Sequence, residues 1–136
     1  MVIFIDTNIF VSFSNEDDHN HNKAKKIISD IASGKYGAPV TSDYIFDEAL
    51  TVMLTKTKSI ESAIKIGEYI LTYVIIAVVN DIIINKAWEM FKKDNREKMS
   101  FTDCTNRVFV ENFGIKNIAT LDAAFKRIKT INVIGD

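Results

Sequence analysis

The chain has 136 residues, the length of one ordinary domain, and residues 1–136 are read as a single unit around one core. Its 47% hydrophobic content supports that core and excludes a disordered chain, while one proline and five glycines leave no room for a linker or a low-complexity tract. A net charge of −1, from 17 basic and 18 acidic side chains, does not mark a broadly basic nucleic-acid binder, although a local basic strip can still serve. Cys104 is the only cysteine, which excludes an intrachain disulfide and fits a reducing interior. No basic segment precedes the first apolar run, so that run is not read as a signal peptide, and residues 73–79, the longest apolar run elsewhere, are too short to span a bilayer. A cytoplasmic protein with no membrane contact is expected.

Val2, Ile3, Phe4 and Ile5 are four apolar residues in a row, the pattern of a buried strand in a parallel sheet. The run stops at Asp6, followed by Thr7 and Asn8. Ligands of an open parallel sheet bind just beyond the carboxyl ends of its strands, so Asp6 stands where chemistry is expected. Residues 9–13 read as a short helical turn and 14–22 as a polar loop holding His19 and His21. Residues 21–33 have helical periodicity, with Ala24, Ile27, Ile28, Ile31 and Ala32 on one stripe, ended by Gly34 and Gly37. Residues 39–41 form a short strand, and Ser42 is a suitable N-cap for a helix to about residue 57.

Residues 59–73 predict a further amphipathic helix carrying Ile60, Ala63, Ile64, Ile66, Ile70 and Leu71, and residues 74–79 a β-branched strand. Asn80 or Asp81 caps a helix to about residue 93 that is expected to bury Ile83, Ile84, Ala87, Trp88 and Phe91. A charged turn follows. Ser100 or Thr102 then starts a helix ending at Gly114, before a strand at 117–120, a helical turn at 121–128 and a last strand at 131–134. Five short strands alternating with helices predict an α/β sandwich with a mainly parallel sheet and right-handed crossovers.

Four carboxylates have positions that a solvated surface does not explain together. Asp6 and Asp122 follow strands. Glu48 falls between Ile45 and Val52 on the apolar stripe of its helix, whereas Asp43, Asp47 and Thr51 form a separate polar line. Asp103 lies in the first turn of a helix that is apolar over most of its circumference, aligned with Asn106 and Val110. Singly, each has an ordinary explanation: a helix cap or dipole partner for Asp103 and Asp122, a snorkelling boundary residue for Glu48. One α/β sheet can nevertheless bring all four to one crevice. A carboxylate pair about 4 Å apart repels by about 4 kcal/mol at an effective dielectric of about 20, so such a cluster needs raised pKa values or a divalent cation. An all-oxygen set suits Mg²⁺ or Mn²⁺ rather than zinc, and such an ion can activate water and clamp a phosphodiester.

In this order the motifs resemble those of the PIN-domain nucleases, in particular the VapC-type toxins of toxin–antitoxin pairs, over nearly the whole chain. FIDTNIFVSF resembles the opening strand, with Asp6 as first acid and Thr7 and Asn8 in support. The stretch before Lys23-Ala24, with His21, resembles the following loop and helix entry. TSDYIFDEAL places the second acid on Glu48, SFTDC the third on Asp103, and IATLDAAF the fourth on Asp122, with Thr120 supporting. Some members carry a further acid three residues on, where this chain has Phe125. The resemblance implies a three-layer α/β/α fold with a five-stranded parallel sheet. It also implies Mg²⁺- or Mn²⁺-dependent endoribonuclease activity with Asp6, Glu48, Asp103 and Asp122 as catalytic metal ligands, RNA as substrate, a homodimer and a cognate antitoxin. A catalytically silent RNA- or protein-binding module, or an RNA-processing nuclease that is not a toxin, are the alternatives.

Other features have competing explanations. His19 and His21 suit either a metal-free acid–base ribonuclease or plain loop solvation. Asp6-Thr7-Asn8 departs from an aspartyl-nucleophile phosphatase pattern, which wants a second Asp at position 8. Arg107, Lys126 and Arg127 are candidates for holding RNA phosphates, or form a solvated face. Trp88, on an apolar stripe, is expected in the core rather than as a base-stacking platform. The helix pair between Ser42 and Tyr73 could supply a dimer surface.

Overall fold

Four consecutive apolar residues make β1 (Val2–Ile5) the central strand of the molecule. The computed structural model describes residues 1–135. After β1 come helices α1 (Thr7–Ser14) and α2 (His21–Ala32), strand β2 (Ala38–Ser42), helices α3 (Asp43–Thr57) and α4 (Ile60–Tyr73), and strand β3 (Ile75–Ala77). Helices α5 (Asp81–Lys93) and α6 (Phe101–Asn112), strand β4 (Asn117–Ala119), a 3₁₀ turn (Ala123–Arg127) and strand β5 (Asn132–Ile134) complete the order. All four strand pairings are parallel, and the sheet order is β3-β2-β1-β4-β5.

Ile3, Phe4 and Ile5 are fully enclosed, and each such side chain contributes about 1.5–3 kcal/mol. The chain steps from β1 to β2 to β3 in one direction, then jumps back past β1 to β4. With right-handed crossovers that reversal puts the later helices on the opposite face. Accordingly α1 to α4 pack among themselves, and α5 packs on α6, giving the α/β sandwich read from the sequence. The reversal leaves a crevice between the carboxyl ends of β1 and β4. Stacking of Phe4 on Phe109, with ring centroids 5.6 Å apart, fixes α6 over β1 and so over that crevice. No helix among the described residues is long and apolar enough to cross a membrane.

Helix starts follow the expected chemistry. Ser42, Ser59, Asn80 and Ser100 each accept a backbone N–H through the side chain at the head of α3, α4, α5 and α6. Other details differ from the pattern. The turn expected at 9–13 is a full helix, α1, because Asp6 accepts the Thr7 N–H and the helix is buried against its neighbours, which outweighs the poor propensity of Ile, Phe and Val. Strand β3 is shorter than 74–79: the Val74 N–H still bonds to Ile70 at the end of α4, and the Val79 N–H is taken by Asp43 Oδ1 at 2.9 Å. In α4 the buried stripe is Ala63, Ile66, Gly67 and Ile70, leaving Ile60, Ile64 and Leu71 exposed. In α5, Ile83 and Ala87 are buried, but Trp88 and Phe91 are 48% and 39% exposed, stacked on each other. Both helices are apolar on more than one side, so periodicity alone did not choose the inward face.

Candidate active site

Asp6 follows Ile5, and Thr120 follows Ala119. Ile5 and Ala119 are register partners, so the next residue of each strand lies side by side with its neighbour at the sheet's carboxyl edge. The Asp6 N–H continues the ladder to the Ala119 carbonyl at 2.9 Å. Asp6 is 4% exposed and is gripped from four directions. The Thr120 hydroxyl donates to Oδ2 at 2.7 Å, the Thr7 N–H to Oδ1 at 2.8 Å, the Asn106 amide to Oδ1 at 3.3 Å and the Asn8 amide to Oδ2 at 3.4 Å. Thr120 also accepts from the Asn8 amide and from the Asp122 N–H, and Asn8 accepts from the Leu121 N–H. The strand ends β1 and β4 are thus tied by one side-chain network.

Asp6, Glu48, Asp103 and Asp122 all line a single cleft of 410 Å³. Its other walls include Ser12 of α1, the loop residues Asp18, His19 and Asn20, and Val52 and Lys56 of α3. The Asp6 carboxyl is pushed up to about 7, chiefly by burial and next by the charge of Asp103, with Glu48 adding a little, against lowering by Thr120 and Thr7. Asp103 is pushed up to about 6 by burial, then by Asp122 and Glu48, against the lowering hydrogen bonds of Ser100. Asp103 and Glu48 thus act on Asp6, and Asp122 and Glu48 on Asp103, across the cleft. Glu48 faces the cleft while Asp47 is exposed, as the helical stripe required. Asp122 lines the cleft and also caps the 3₁₀ turn, accepting the Ala124 N–H at 2.9 Å.

The donor set is oxygen only, which fits a hard divalent cation. Among the described residues, no three acids, histidines or cysteines stand in a chelating arrangement, so an ion at these side-chain positions would be reached partly through water, as Mg²⁺ usually is. Beside Asp6, the buried Thr7 hydroxyl and the Asn106 amide oxygen have no hydrogen-bond partner. A cation here would relieve the repulsion that raises Asp6 and Asp103. Phe125 is fully buried, so the position three residues past Asp122 supplies no ligand.

The remaining sequence candidates separate. Thr7, Asn8 and Thr120 support Asp6, Thr7 through its backbone. Arg107 does not reach the cleft: it bonds Glu111 at 2.9 Å and Asp94 at 3.5 Å. Arg127 pairs with Glu97 at 3.6 Å, and both arginines line a separate hollow. Lys126 is exposed on the 3₁₀ turn and does not line the cleft. His21 Nδ1 is bonded to the Ser12 carbonyl at 2.9 Å and fixes the loop after α1, whereas His19 lies at the cleft rim, largely exposed. Asn106 was the residue that sequence reasoning passed over. Its spacing of three from Asp103 put it on the right face, but only the fold shows it, fully buried, reaching a carboxylate 100 residues away.

The PIN-domain family model matches residues 3–131. The chain belongs to the PIN-domain family. It is 31% identical over 124 residues to a VapC ribonuclease of Archaeoglobus fulgidus, covering 88% of this chain and 76% of that protein. It is 23% identical over 132 residues to the 23S rRNA-specific endonuclease VapC20 of Mycobacterium tuberculosis, covering 97% and 98% of the two chains. The crystal structure of that VapC20, a sarcin–ricin-loop-cleaving toxin, superposes with a TM-score of 0.84 at 24% identity, covering 95% of this chain and 96% of the other. VapBC2 from Rickettsia felis, bound to a promoter DNA fragment, superposes with a TM-score of 0.66 at 18% identity, covering 98% and 97%. The PIN fold accounts for the sheet order and for the crevice in which these acids meet.

Proposed function

We propose that this PIN-domain protein is a metal-dependent endoribonuclease that acts as the toxin of a toxin–antitoxin pair. The observation that carries the reading is the arrival of Asp6, Glu48, Asp103 and Asp122, from β1, α3, α6 and the end of β4, in one cleft where two of them are pushed up toward neutrality. Kinship with proteins named VapC ribonuclease and VapC20 endonuclease supports RNA as substrate, and likeness to VapBC2 supports an antitoxin partner. The acidic cleft would attract a basic segment of such a partner. Exposed apolar side chains such as Trp88, Phe91 and Ile82 on α5 support a homodimer.

The four acids would hold Mg²⁺ or Mn²⁺ directly or through water. When bound, the ion supplies a water of lowered pKa and neutralises charge on the phosphodiester oxygens. Thr120, Asn8, Asn106 and the Thr7 N–H fix the Asp6 carboxylate so that it need not reorganise when substrate arrives. An ion held there would offset the repulsion that raises Asp103 and keep it as a carboxylate. The test is cleavage by Asp6→Asn and Asp103→Asn proteins. Each should fold and lose more than the roughly 10–100-fold typical of an outer-shell change. Full activity of both variants would sink the assignment.

A further inference from the structure

Cleft-lining residues Glu48, Val52 and Lys56 lie four apart on one side of α3, so the cleft runs along that helix away from the acids. Eight residues of helix place Lys56 about 12 Å beyond Glu48. Lys56 is the only lysine or arginine among the described residues lining the cleft. Its side chain makes no hydrogen bond or ion pair with a described residue, whereas Arg107, Arg127, Lys92 and Lys93 are each committed to a carboxylate. It also stands too far along the helix to be neutralised by Glu48. A polyanion entering a cleft of four carboxylates is repelled; an ion at the acids serves only the phosphate being cut, and the flanking phosphates need a cation elsewhere.

We propose that Lys56 forms a second subsite of the cleft, binding a non-scissile phosphate of single-stranded RNA along α3 from the acids. This rests on the ribonuclease reading above. The contact is a charge contact, so it holds the strand in place without reading its sequence. The competing role is purely structural: Lys56 lies in the last turn of α3, where a cation favours the helix dipole.

The deciding experiment measures binding of a labelled 12-nucleotide single-stranded RNA by fluorescence anisotropy, in EDTA at low salt, for the wild type, Lys56→Gln, Lys56→Arg and Lys65→Gln. Lys65 lines a different groove and makes the same charge change a control. Lys56→Gln should weaken binding about fivefold. The slope of log K against log salt should flatten by about 0.7. Lys56→Arg should stay near wild type and Lys65→Gln should lose nothing. With Mn²⁺, Lys56→Gln should raise KM by the same factor and leave kcat unchanged. Unchanged affinity and slope in Lys56→Gln, with only a lowered Tm, would overturn the subsite in favour of the dipole role; so would an equal loss in Lys65→Gln. Failure of the underlying reading shows differently: the wild type itself then cleaves no RNA.

Discussion

Asp6 is the residue on which the site turns, and its chemistry comes from neighbours rather than from its own kind. Burial and Asp103 drive its carboxyl toward neutrality, while four donors hold it in place. Thr120 is the strongest of those donors and also receives the Asp122 N–H. Thr120→Val leaves the shape and removes the hydroxyl. It should cost about 1–3 kcal/mol in urea unfolding, because the Asp122 N–H loses its acceptor. It should also weaken Mn²⁺ binding about 10–100-fold by calorimetry. An unchanged Mn²⁺ affinity would show that the Asp6 orientation does not matter to the ion. Asp6 and Glu48 stood out in the sequence, as a charge ending an apolar strand and a charge on an apolar helical stripe, whereas Asp103 and Asp122 each passed singly for a helix cap and drew notice only by repetition. Asn106 gave no such signal, and that the arginines stand away from the cleft was not legible, because the pairing of Arg107 with Asp94 and of Arg127 with Glu97 exists only in three dimensions.

At the scale of elements, strand ends position everything, so changes that move a strand end should act at a distance. Gly135 has φ +128°, and a Cβ there would meet the Thr120 carbonyl and the Ile27 side chain. The Thr120 N–H in turn bonds to Ile134 at 2.9 Å. Gly135→Ala should therefore cost about 1–3 kcal/mol and lower cleavage by displacing Thr120. Gly34, with φ +87° but open space around it, gives the contrast: Gly34→Ala should cost only about 1 kcal/mol and leave cleavage intact. Equal activity in both variants would break the link between β5 and the site. Helix starts were readable from Ser42, Ser59, Asn80 and Ser100, since a cap is a local signal. The exposed faces of α4 and α5 were not, because Ile60, Ile64, Leu71, Trp88 and Phe91 are as apolar as the residues that are buried.

Over the whole molecule, the fold stores repulsion at the switch point of the sheet and should show it as a pH dependence. Asp6 and Asp103 bind protons more tightly in the folded state, at about 7 and about 6, than an ordinary aspartate does at 3.8. Folding therefore favours their protonated forms, and the stability they allow is greatest at low pH and is lost as pH rises from about 4 through 7. In EDTA, Tm should rise as the buffer is taken from pH 8 to pH 5. Millimolar Mn²⁺ should raise Tm at pH 8, by about 2.7 kcal/mol of stabilisation at one hundred times Kd, and should do less at pH 5, where protons compete. A Tm indifferent to Mn²⁺ at pH 8 would remove the ion from the cleft.

The central claim, that the clustered acids make this PIN-domain protein a metal-dependent ribonuclease, is tested most directly by incubating total RNA with the pure protein in Mn²⁺ and in EDTA and mapping the product ends. Cuts that require Mn²⁺ and leave 5′-phosphate and 3′-hydroxyl ends are expected. Cuts that persist in EDTA and leave cyclic phosphates would contradict the claim and move the chemistry to His19 at the cleft rim.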